Sequence, residues 1–111
     1  MADEGEVPAG ILEPIRERCL ALPDAYEEPA WTGTRWLVRK KTFAHVLLID
    51  AGWPPVYARE AGTDGPACVL MFRSSGDDLE ALRQAGPPWF APVWRADEVG
   101  LVLGTDAAVV D

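Results

Sequence analysis

One histidine, two cysteines and no apolar run long enough to cross a bilayer narrow what this chain of 111 residues can be. A transition-metal site wants several His or Cys ligands, and His45, Cys19 and Cys68 lie scattered, so no metal and no cofactor is expected. The cysteines lack C-x-x-C spacing and sit in apolar surroundings, so they read as buried thiols of a reducing compartment rather than a disulfide. A membrane-spanning helix needs roughly 20 apolar residues, which rules out an integral membrane role by helix. The acidic start, MADEGEV, has neither the basic flank nor the apolar stretch of a signal peptide, and a cytoplasmic location follows as the expectation. Neither GxGxxG nor GxxxxGK[ST] occurs, so the usual phosphate-binding loops are missing.

Positive charge is also scarce. Ten basic residues face 18 acidic ones, for a net charge of −8. Binding nucleic acid rests on neutralising phosphates, so an acidic chain must concentrate its basic groups to do it, and the overall charge disfavours DNA as a partner. Four of the ten, Arg35, Arg39, Lys40 and Lys41, do fall within one predicted hairpin. The structural reading of that cluster is a solvated turn; the functional one is a wing that touches phosphates.

Catalytic signals are equally thin. His45 would need a nucleophile and a carboxylate beside it, and Ser74, Ser75 and Asp50 carry no spacing or nucleophile-elbow motif. A histidine inside a strand, with its hydrogen bond satisfied, is the structural alternative. The adjacent carboxylates Glu27–Glu28, Asp77–Asp78 and Asp97–Glu98 read as loop or cap residues unless one of them occupies a dry pocket. The expectation is a protein that is not an enzyme.

What is present is a single-domain quantity of apolar sequence, 49% of the chain. The organising stretch is WLVRKKTFAHVLLID, residues 36–50: strand formers broken by basic residues, then an almost wholly apolar run. It predicts a β-hairpin turning at residues 39–41, its second strand covered on both faces. Before it, Leu12, Ile15, Cys19 and Leu22 recur at helical spacing. Pro14 belongs in a first turn, so that helix is predicted to start near Leu12 or Glu13, and to end at Pro23. Residues 1–9 read as a flexible acidic tail, and 22–31 as a loop rich in proline and acid.

After the hairpin, Pro54 and Pro55 break the strand, and residues 56–59 are predicted as a short edge strand. Residues 67–72 read as a central strand. Ser75 and Asp78 are spaced like a capping box for a helix that ends at Gly86. Residues 89–94 are extended and aromatic, 99–103 a last strand, and 104–106 a turn. Five tryptophans are many for this length. Most belong to a core, but Trp53, Trp89 and Trp94 are candidates for an exposed surface that takes a small ligand or a protein.

The succession LALPDAYEEPAW, WLVRKKTFA, ACVLMFRS, DDLEALRQAG and PPWFAPVW resembles the MmcQ/YjbR family of small bacterial proteins, over nearly the whole chain from Ile11. The resemblance implies an α+β domain of residues 10–111, an antiparallel sheet with helices packed on one face, in the double-wing, frataxin-like arrangement. That family is labelled DNA-binding, which implies a wing at Arg39, Lys40 and Lys41 with Arg35 at its base. It also usually has an amphipathic C-terminal helix, which this chain is expected to lack, and a sheet face left bare by that loss invites dimerisation. Two functions follow as expectations: a non-enzymatic nucleic-acid-binding module, or a ligand- or protein-binding domain using its tryptophans.

Overall fold

The computed structural model describes residues 7–103. The hairpin is its centre. Thr34–Val38 (β2) and Lys41–Ile49 (β3) pair antiparallel, closed by Arg39 and Lys40. Both turn residues have positive φ, 54° and 68°, the type I′ geometry whose twist matches that of the flanking strands. Four more strands extend the sheet: Tyr26–Pro29 (β1), Ala67–Arg73 (β4), Trp89–Phe90 (β5) and Glu98–Leu103 (β6), in the order β1-β2-β3-β4-β6-β5 with every pair antiparallel. Among the described residues there are three helices, Ala9–Leu20 (α1), Pro55–Ala61 (α2) and Gly76–Arg83 (α3). The class is α+β, as the sequence implies.

Alternation along the central strands builds two separate cores. On β3, Ala44 and Val46 point to one face, where Ile11 and Ile15 of α1 meet Trp36, Cys68 and Leu103. Leu47 and Ile49 point to the other, against Val69, Met71 and the Tyr57 and Ala58 of α2. The helices therefore divide between the faces rather than sharing one. β3 is covered on both sides, as its apolar run predicts.

Several elements differ from expectation, each for a local reason. Residues 26–29 are a strand, not a loop; β1 lies at the border of the sheet, where a proline is tolerated because one side of the strand needs no partner. Residues 56–59 are helical, not an edge strand. Pro55 occupies the first turn of α2, where its missing N–H costs nothing, and Gly62 closes the helix in the left-handed region at φ 76°. α1 starts at Ala9, and its Ile11 and Leu12 amides bond the Pro8 carbonyl. Val7 is buried with the core, while Pro14 stands inside the helix and orphans only the carbonyl of the exposed Gly10. Ser75 is the N-cap of α3, but its side chain makes no capping bond. Residues 1–6 of the predicted tail and the predicted turn at 104–106 lie outside the described residues.

Candidate aromatic site on the α2 face

Trp31, Trp53, Tyr57 and Trp94 collect with His45 and Glu98 over the rung where His45 of β3, Met71 of β4 and Gly100 of β6 lie side by side. Each arrives by a different route. Trp31 sits in the β1–β2 turn, closed by the Ala30 amide on the Gly33 carbonyl at 3.1 Å. Gly33, at φ 78°, lies against the Val46 backbone so closely that no Cβ fits there. Trp53 sits in the tight connection after β3, where Asp50 and Trp53 exchange backbone hydrogen bonds of 3.0 Å. Tyr57 projects from α2. Trp94 rides on the β5–β6 loop, held from behind by Arg83 of α3. That guanidinium donates to the carbonyls of Glu98 (2.8 Å), Arg95 (3.1 Å) and Pro92 (3.3 Å).

The rings touch in sequence. Trp31 meets Trp53 edge to face with centroids 5.8 Å apart, and stacks on Tyr57 at 6.2 Å. Tyr57 in turn meets Trp94 at 5.2 Å and His45 at 6.0 Å, both edge to face. These are the favoured geometries for rings with a negative face and a positive edge. Tyr57 is buried, yet Trp31, Trp53 and Trp94 remain 66%, 48% and 42% exposed. The cluster is an open patch, not a core.

Polar groups underlie it. His45 Nε2 donates to the Thr32 carbonyl at 2.7 Å, which fixes the tautomer and leaves Nδ1 as an acceptor. Burial pushes the His45 pKa down, the hydrogen bond to Thr32 opposes that, and the nearby Arg35 charge adds to it, so the ring is neutral. The Glu98 carboxyl is raised, first by burial; the Trp94 indole N–H, Arg95 and Arg73 favour its charged form but do not outweigh that. Burial also raises the Tyr57 hydroxyl, and the Glu98 charge adds to it. A neutral acceptor, a hydroxyl and a half-buried carboxyl thus stand under an aromatic rim.

Of the residues singled out by sequence, Trp53 and Trp94 come together here and Trp89 does not. Trp89 aligns with Leu101 on the α1 face and packs edge to face on Phe72 at 6.1 Å. Its neighbour Phe90 faces the α2 side, where the ring lies on Gly100 and only a glycine leaves room for it. The patch also contains Trp31, Tyr57, His45 and Glu98, which sequence reasoning left apart.

The basic hairpin forms as predicted, but its charges do not act alike. Arg39, Lys40 and Lys41 are exposed at the tip and make no ion pair among the described residues. Arg35 is engaged by Glu28 of β1. Among the described residues no group of three His, Cys, Asp or Glu side chains is placed to hold a metal ion. No helix among them is long and apolar enough to cross a membrane.

Comparison of the chain with protein-family models, with curated proteins and with solved structures finds no match.

Proposed function

We propose that this chain is a non-enzymatic binding module whose contact surface is the patch of Trp31, Trp53, Tyr57 and Trp94. One observation carries the reading: three exposed indoles come together from three separate connections, Trp31 and Trp94 on the buried Tyr57 and Trp53 on Trp31. Exposed indoles held in contact are costly in water, and contiguous apolar patches of this kind mark interaction sites. The ligand this favours is a flat apolar or aromatic group of a small molecule, anchored by the few polar atoms of His45, Tyr57 and Glu98. Indole and phenol fragments, titrated while the tryptophan Nε1–H signals are followed by NMR, are expected to shift the Trp31, Trp53 and Trp94 resonances and to leave Trp36 still. Trp31→Ala with Trp94→Ala is expected to abolish the response. Undiminished fragment affinity in that double variant overturns the reading.

A second reading rests on the hairpin tip and on the resemblance to MmcQ/YjbR proteins, which we likewise hold as a proposal supported by the order of elements. The type I′ turn sets Arg39 and Lys40 outward beside Lys41, a compact cationic point on an acidic molecule. With Arg35 engaged by Glu28, such a wing reaches about three phosphates, for a salt slope near about −2.7. Anisotropy of labelled duplex and single-stranded DNA tests it: Lys40→Glu with Lys41→Glu abolishes binding if the wing is the contact, and unchanged affinity sinks the idea.

A further inference from the structure

Alternation places two arginines on the face that carries the aromatic site. Arg35 of β2 stands opposite His45, and Arg73 lies two residues beyond Met71, the β4 partner of His45. Among the described residues, Arg35 Nε and Arg73 Nε are the buried side-chain donors that find no hydrogen-bond partner. The two arginines are not equivalent. Arg35 has its outer nitrogen engaged by Glu28. Arg73, half-buried, makes no ion pair among the described residues. At the end of β4 it also borders a cleft beside α1, but its cross-strand neighbour is Glu98, which belongs to the aromatic face. Burial holds the Glu98 carboxyl above the ordinary range, toward its neutral form, so it answers the Arg73 charge incompletely. An unpaired buried donor carries a desolvation cost that an incoming acceptor relieves.

We infer, resting on the contact surface proposed above, that it selects a flat ring bearing a carboxylate, an arylalkanoate by class, with the ring on Trp31, Tyr57 and Trp94 and the head at Arg73. A guanidinium meets a carboxylate with parallel, charge-assisted hydrogen bonds. A cationic head is disfavoured because the acids of this side are already answered: Glu28 by Arg35, Asp97 by Arg95, and Glu98 by the charges of Arg95 and Arg73. The overall charge of −8 opposes any free anion, so a preference for one reports local donors rather than the field of the whole chain.

The test is a titration of the isotope-labelled full chain with indoleacetate, tryptophol and tryptamine, which share one ring and differ in head charge. The tryptophan Nε1–H signals report the ring contact, and calorimetry gives each affinity. Indoleacetate is expected to bind most tightly, about tenfold above tryptophol, with tryptamine weakest. Arg73→Gln should remove that preference while leaving tryptophol unchanged. Glu98→Gln keeps an acceptor for the Trp94 indole, removes a competing carboxylate, and should tighten indoleacetate, a gain that misfolding does not produce. Lys40→Glu, at the exposed hairpin tip, should leave the order of the three ligands intact. Equal affinity for the three heads, with the Trp31 and Trp94 signals still shifting, overturns the carboxylate and keeps the aromatic contact. A preference for tryptamine, or one for indoleacetate that survives in Arg73→Gln, overturns it in the same way. If no ligand moves those signals, the contact surface falls and the carboxylate with it.

Discussion

The two faces of this sheet are built from the same strands and behave as different materials. Toward α1, Trp36, Ile11, Val46 and Cys68 are fully enclosed. There Glu27 of β1 accepts the Trp36 indole N–H at 3.0 Å and grips Arg16 of α1 through both oxygens, at 2.8 and 3.0 Å. Toward α2, burial is incomplete: indoles stand in water, and His45, Tyr57 and Glu98 carry pKa values moved mainly by desolvation. One face buries an aromatic residue, Trp36, in the core. The other holds its aromatics where a partner reaches them, at the expense of titratable groups left half-solvated.

The sharpest contrast is between two tryptophans. Trp36→Ala should cost about 3–5 kcal/mol, seen as a large drop in the denaturation midpoint, because it empties a fully buried site and removes the indole donor to Glu27. Glu27→Gln should cost about 1 kcal/mol by the same assay, since a partly exposed charge-assisted pair loses its negative partner. Its carboxyl is held below the ordinary range, first by the Arg16 hydrogen bonds. That stabilisation is full above the unfolded value of about 4.3 and is lost as pH falls through the lower folded value.

Milder acid should read out the other face. His45 has a folded pKa below the unfolded value of about 6.5, so the unfolded chain binds the proton first and stability falls as pH drops below that value. Glu98 works in the opposite sense. With a raised folded pKa, its contribution is full below about 4.3 and is lost as pH rises through the folded value. Stability measured by denaturation from pH 8 to 4 should therefore lose its His45 component in His45→Gln, and its opposing component in Glu98→Gln. Smallest of all, Trp31→Ala should change stability by no more than about 0.5 kcal/mol, although the residue is as large as Trp36. A destabilisation matching that of Trp36→Ala would erase the distinction between the faces.

Much of the framework is legible in the sequence because it is local. The hairpin follows from strand formers around a basic turn, and the two-sided burial of β3 from its unbroken apolar run. The strand of residues 67–73 follows in the same way. α2 is misread because Val56 and Tyr57 favour strands, although Pro55 and Gly62 bracket a helix in the sequence itself. β1 is misread because proline and acid signal loops, and only pairing with β2 makes them a strand. The aromatic site is the least legible part. Trp31, Trp53, Tyr57 and Trp94 meet through non-local packing, while adjacent Trp89 and Phe90 part to opposite faces by alternation alone. No spacing of tryptophans along the chain distinguishes the exposed ones from Trp36.

The borders of the sheet carry a last consequence. One is β1, four residues with Glu27, Glu28 and Pro29; the other is β5, two residues between Pro88 and Pro92. Short, acidic and proline-flanked margins offer a neighbouring chain almost no free ladder to extend. Strand-by-strand growth into filaments is thereby disfavoured at both borders, and a partner is left with the two unlike faces and the exposed hairpin tip.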